Sequence, residues 1–431
     1  MVHIRLTAAA ACLALLAACG DGDDSRPAPT ATPASTVGPP TATSSALSSP
    51  TPSATASPSA TATATASASA TATTTPSATP SVTATSAPAC DVRGTICTVA
   101  GTGRSQFNGD GKPALETSLY FPIDIAFERA GLPLILDWNN LRLRRVKADG
   151  TVETIMGNGF EDFPMDGALA SDTPLHHASD IEYDTTGNLL VAGDHVPVVF
   201  RVGTDDRVFT VAGTVEYGYA GDGGPALEAQ LSTPFGVLPD TTGGFYISDV
   251  DAHVIRYVDA AGIITTVAGT GERGYSGDGG IGTAAQLGGP ARLKIGPDGD
   301  LYFCETRNHV IRRLRPDGVI ATFAGTGERG YSGDGGPASA ARFDGPYDLR
   351  FGPNGDLYVA DTGNNVIRRI DGNGVVTTVV GDGEPRFAGD GGPAAASSLR
   401  RPSALIFDAE GSMWIADTSN HRVRRVYRFL E

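Results

Sequence analysis

Two sets of charged residues in this chain sit at spacings that suit a binding site. Asp124, Asp180, Gly236, Arg292, Asp348 and Ala404 recur at intervals of 56 residues, and Ala126, Glu182, Leu238, Lys294, Arg350 and Ile406 follow them two residues on. Residues two apart lie on one face of an extended strand. Where such strands surround an axis, Asp124, Asp180 and Glu182 fall on one side and Arg292, Lys294 and Arg350 on the other, with Asp348 among the bases. A lining of that kind suits a small polar or anionic ligand. Its acidic side, Asp124, Asp180 and Glu182, would take a divalent cation such as Ca2+. The simpler reading, and the favoured one, is a set of solvated charges that neutralise one another, since most charged side chains have no site-specific role.

The other candidates for metal chemistry are weaker. His253, His309 and His421 share one repeat position in a loop between strands, which reads as a turn or surface position rather than a convergence on one ion; His176, His177 and His195 share no such position. Each repeat carries an Asp-Gly loop, with Asp110, Asp166, Asp222, Asp278, Asp334 and Asp390 in register. Such a loop offers one carboxylate where Ca2+ takes six to eight oxygens. A turn or capping role fits it better, with Pro337 and Pro393 opening a short helical turn. Asp361 and Arg368 recur as Asp137/Arg144, Asp249/Arg256, Asp417/Arg424 and, with charge kept, Glu305/Arg312. The second repeat has Gly193 and Phe200 instead, losing both partners together, as expected of a scaffold ion pair. That repeat is also the least regular, with Phe160 to Phe163, Ala178 in place of proline, and Asp194-His195. No nucleophile elbow, phosphate loop or clustered Cys/His spacing is present.

The elements that position these residues follow from the repeat itself. Thr98, Thr154, Thr210, Thr266, Thr322 and Thr378 open the same short motif, and residues 95 to 430 divide into six units of 56 without remainder. In one unit, residues 347–351, 356–361, 366–370 and 375–380 are rich in β-branched and aromatic residues and are separated by Gly/Asn/Asp turns. Four such strands make one propeller blade. The fold expected is all-β, a six-bladed β-propeller of four-stranded blades, closed by an N-terminal strand, residues 95–100, that completes the last blade and removes an open edge. Cys304 falls at a mostly small-residue strand position and reads as a packed thiol.

Thr322 to Gly327, Gly333 to Ala338, Gly355 to Asp361 and Asn364 to Arg368, recurring at fixed spacing from about residue 90 to the end, resemble the NHL-repeat propellers, most closely the teneurin-like variant also found in bacterial repeat proteins. The resemblance implies the fold but leaves function open, because NHL-like propellers include binding modules and a few lyases and lactonases. In the peptide-amidating lyases of this fold, metal-binding histidines lie on inner strands; the inner-strand positions given above hold none. A calcium lactonase would need several axial oxygens, which Asp124, Asp180, Glu182 and Asp348 leave open. RNA binding, known for some NHL domains, is opposed by a net charge of −16.

The N-terminus gives the expected location. Residues 1–18 read as a signal peptide with an apolar stretch too short to span a bilayer, and Leu16 to Cys19 resembles the lipobox of bacterial lipoproteins, which makes Cys19 the lipidated residue. Residues 19–89, almost wholly Ser, Thr, Ala and Pro beyond Arg26, form a tether without the apolar content for a core. Residues 90–431 are the propeller, in which Cys90 and Cys97 flank a tight turn and are disulfide candidates in an oxidising compartment. The expectation is a monomeric lipoprotein held on the extracytoplasmic side of the cell membrane, displaying a non-enzymatic module for a protein or glycan and binding no nucleic acid. The alternative is a propeller enzyme of lactonase or lyase type with a small-ligand or cation site in the central channel.

Overall fold

The computed structural model describes residues 90–430; the signal segment, Cys19 and the tether lie outside the described residues. Six antiparallel sheets follow one another along the chain. Blade one runs from its inner strand Pro122–Phe127 through Pro133–Asp137 and Arg142–Val146 to its outer strand Thr151–Met156. Blades two to five repeat this order, with inner strands Ala178–Tyr183, Pro234–Pro239, Pro290–Ile295 and Pro346–Phe351. Blade six takes three strands from the end of the chain, Ala404–Phe407, Met413–Asp417 and Arg422–Val426, and its fourth is Thr95–Ala100, which pairs Ile96 with Val426 and Cys97 with Arg425. Cys90 is disulfide-bonded to Cys97 with a Cα separation of 5.7 Å, which anchors the start of that strand.

Alternation along each strand buries one set of β-branched and aromatic residues between neighbouring blades. Tyr358, Ala360, Ile367 and Val380 of blade five pack with Leu405, Met413 and Ile415 of blade six in one such layer. Cys304, of blade four, is fully buried in a different part of the core, with Tyr347, Leu349 and Val359 in its cluster, and burial pushes its thiol well above the usual range. Ring closure adds polar ties: the Thr418 hydroxyl donates to the Pro122 carbonyl (2.8 Å), and the amide of Phe121 donates to His421 Nδ1 (3.2 Å). His253 and His309 accept the amides of Gly289 and Gly345 in the same way, at 3.4 and 3.0 Å. These three histidines, all in the left-handed backbone region, are inter-blade acceptors and not a cluster.

The recurrent arginine of the third strand is the most heavily engaged side chain in its blade. Arg368 is fully buried, donates to Asp334 (2.7 Å) and to the carbonyls of Arg342 (2.7 Å) and Ser332 (2.8 Å), and lies 3.7 Å from Asp361. Arg424 makes the corresponding contacts with Asp390 (2.7 Å) and Asp417 (3.7 Å), and Arg312 with Asp278 (2.7 Å) and Glu305 (2.9 Å). The pairing expected from sequence is present for Asp137/Arg144, Glu305/Arg312, Asp361/Arg368 and Asp417/Arg424 but not for Asp249/Arg256, where Asp249 accepts loop amides and Arg256 pairs with Asp222. All five arginines have a second acid that the pairwise reading missed. That second acid is the Asp of the Asp-Gly loop. It does not cap the single 3-10 turn that follows, which has no side-chain cap; it reaches 34 residues along the chain to the arginine, and it also holds the outer-strand threonine, as Asp334 does the Thr378 amide (3.0 Å). A register shift in the pairing of third and outer strands falls beside each of these arginines and also beside Phe200 of blade two, so the bulge belongs to the repeat and not to the guanidinium.

Burial raises the carboxyl of Asp361 to about 7, against the donors Asn364, the Asp344 amide and Arg368. A carboxyl whose folded pKa exceeds its unfolded value stabilises the fold fully only below the unfolded value, and that contribution is lost as pH rises through about 7. The native protein should therefore lose more stability between about pH 5.5 and about pH 7.5 than Asp361→Asn does, by on the order of 1 to 2 kcal/mol in urea unfolding. Equal losses in the two proteins would show that Asp361 titrates as an ordinary carboxylate.

Candidate functional site

The axial position is the third residue of the inner strand in blades one to five and Ala404, the first, in blade six, and there the charges meet. Asp124, Asp180, Arg292 and Asp348 have no exposed surface. Arg292 pairs with Asp124, lies 3.7 Å from Asp180 and 4.0 Å from Asp348, and donates to the carbonyls of Ile123 (3.0 Å) and Ser179 (2.7 Å). Its guanidinium occupies the place among the three carboxylates that an axial cation would take. Two residues further along the strands, Glu182 pairs with Lys294 and with Arg350 (2.7 Å).

These contacts confirm mutual neutralisation but correct its setting: the charges around Arg292 are buried, not solvated, and the channel is filled by its own side chains at that level. Each aspartate also serves the ring. Asp124 accepts the amide of Ile181, Asp180 that of Val237 and Asp348 that of Leu405, each at 2.9 Å and each 57 residues on, in the inner strand of the next blade. Asp124, Asp180 and Asp348 are thus stitches between blades. Gly236 has no side chain to make this tie; its own amide donates to Ser248 Oγ within the same blade (2.8 Å).

The electrostatics follow from burial. Desolvation raises the Asp124 carboxyl well above its ordinary range, Arg292 opposes the rise and the neighbouring Asp180 adds to it. Burial would also raise Glu182, but Arg350 and Lys294 outweigh it and hold that carboxyl at about 2. Arg292 is kept charged by Asp124, Asp180 and Asp348 despite the cost of desolvation.

The face that carries the loops from outer to next inner strand, and from second to third strand, has two features the sequence reading did not find. Phe107, Phe163, Tyr219, Tyr275, Tyr331 and Phe387 lie three residues before each loop aspartate, and all are 38 to 53% exposed. In five blades the ring covers the buried arginine, with Arg368 5.3 Å from the Tyr331 centroid and Arg144 5.0 Å from that of Phe107. The 56-residue spacing of the aromatics was the available signal. The second feature is the histidine group of blade two. His176, His177 and His195 each bring a ring nitrogen within 4.8 Å of the others. Their chain positions, one pair before an inner strand and one residue in the next inter-strand loop, give no metal-binding spacing.

The fold and its repeats match known proteins along most of the described residues. The family model of the teneurin NHL domain matches residues 212–276. Mouse Teneurin-4 is 28% identical over 348 residues, covering 71% of this chain, and zebrafish Teneurin-3 is 27% identical over 383 residues, covering 77%. The chain is a six-bladed β-propeller whose repeats are similar to those of the teneurin NHL domain. It spans only 12% and 13% of the length of those two relatives. Among solved structures, a Bacteroides thetaiotaomicron protein of unknown function superposes with a TM-score of 0.58 at 17% identity, covering 77% of this chain and 74% of its own. An auxiliary nutrient binding protein from Bacteroides ovatus does so with a TM-score of 0.56 at 16% identity, covering 77% and 75%. At those identities the similarity of these two structures to this propeller is one of fold alone.

Replacing Arg292 with Met should leave three buried carboxylates without their counter-ion and cost at least about 3 kcal/mol at neutral pH, with partial recovery on acidification. Lys294→Met should cost less, because Arg350 still holds Glu182. Chemical unfolding of both variants at pH 7 and at pH 5 measures this, and a neutral Arg292→Met would refute the compensating role.

Proposed function

We propose that this propeller is a non-enzymatic binding module for an extracytoplasmic protein or glycan, displayed from a membrane through lipid on Cys19 and the tether of residues 19–89. The observation that carries this reading is the self-neutralised axis. Asp124, Asp180, Arg292 and Asp348 are used up in pairing with one another and in joining blades, so recognition falls to the loop face. That face offers the ring of half-exposed aromatics, which suits stacking on a sugar or packing against an apolar side chain. It also offers an open polar cleft of about 520 Å3 lined by Arg104, Gln106, Arg400, Ser419 and His421, a basic patch in an acidic chain. Among the described residues no helix is long and apolar enough to cross a membrane.

A photo-crosslinking amino acid placed at Tyr331 or Arg104 of the full chain, expressed in a bacterial envelope, should give one recurrent crosslinked species; the same group at Arg315, in a turn of the opposite face, should not. Cys19→Ala should move the protein from the membrane to the soluble fraction. Equal crosslinking at both faces would overturn the assignment to the loop face, and a Cys19→Ala protein that stays with the membrane would overturn the anchor.

A further inference from the structure

In five blades the acid that ends the second strand accepts the backbone amide of the loop entering the same blade's inner strand. Asp137 takes the amide of Tyr120 (2.7 Å), Asp249 that of Ser232 (2.8 Å), Glu305 that of Gly288 (2.8 Å), Asp361 that of Asp344 (2.8 Å) and Asp417 that of Arg400 (2.7 Å). Blade two has Gly193 in place of the acid and Phe200 in place of its arginine. The residues at that loop are His176 and His177, and the facing inter-strand loop supplies His195. Of the seven histidines in the chain, three are the inter-blade acceptors described above and one is His3, so every other histidine falls here.

Their arrangement is that of ligands held in advance. His177 and His195 are buried, and their Nδ1 atoms face each other at 3.1 Å, close to the ~3.3 Å between neighbouring nitrogens on a tetrahedral zinc ion with bonds of ~2.0 to 2.1 Å. His177 Nε2 lies 3.3 Å from Asn139 Oδ1 of blade one, an acceptor only; that bond puts the proton on Nε2 and turns the Nδ1 lone pair toward His195. His195 Nε2 and His176 Nδ1 are buried without a hydrogen-bond partner. Asp194 brings a carboxylate oxygen to 3.7 Å from His195 Nε2. Trp138 packs on His177 at 4.3 Å between centroids and walls off one side.

We infer that His176, His177 and His195 bind one zinc ion, which braces the two loops of blade two in the place where the other blades use a carboxylate. Three imidazoles are donors for a borderline-soft ion and poor ones for Ca2+ or Mg2+. The site shares no residue with the axial charges and is independent of the binding-module reading.

Full-chain protein stripped with a chelator and titrated with ZnCl2 should take up one equivalent with micromolar or tighter affinity, and zinc should raise its thermal midpoint. Co2+ in place of zinc should give the visible d–d bands of a tetrahedral site. His177→Gln and the half-buried His176→Gln should each weaken zinc at least 10-fold, whereas His309→Gln, at an inter-blade position, should leave the affinity unchanged. Calcium should not compete. Stoichiometry far below one in the native protein, an octahedral Co2+ spectrum, or unchanged affinity in His176→Gln would overturn the proposal; the native titration and the Co2+ spectrum decide it even where a variant does not fold.

Discussion

A guanidinium taken out of water needs an oxygen partner for its donors, and five blades of this propeller are organised around one that has them. Arg368 shows the arrangement: a strand-end acid on one side, a loop acid and two loop carbonyls on the other, and an aromatic ring over the top. Because those partners come from the end of the second strand and from the long loop entering the blade, one buried charge on the third strand fixes the placement of both. In blade two, where Phe200 replaces the arginine, the loop acid still holds the outer-strand threonine, Asp166 with Thr210, so that tie belongs to the loop itself and the arginine adds to it.

The axis applies the same constraint once, on a larger scale. Inner strands bring four charged third-position residues into a space that excludes water, and Arg292 is compensated by the acids it meets across the ring. Those acids in turn hold the amides of the next blade. What looked in the sequence like a departure from the repeat is a closing device that only a ring can use. Blade two is the counterpart: it gave up the buried ion pair entirely, and a group of imidazoles stands where the acid's tie would be.

Much of this was legible from residue types at a fixed interval. The 56-residue period, the strand pattern within it and the pairing of Asp361 with Arg368 could be read because each is local or repeats in register. The second acid, Asp334, could be placed in every repeat but not assigned, since its partner lies 34 residues away through a loop of unspecified path. His253, His309 and His421 could be dismissed as one cluster because a shared repeat position puts them on separate blades. His176, His177 and His195 could not be grouped, since their proximity depends on how two loops fold over one blade's edge.

Sequence alone determined that six like units exist, that each is four strands, and that their ends match, because these follow from periodicity and the preference of β-branched chains for extended backbone. Tertiary structure decided which charges see water. Asp124 and Arg292 are 168 residues apart at one repeat position, which places both at the axis; only ring closure sets them face to face, and only burial turns their attraction into a structural tie.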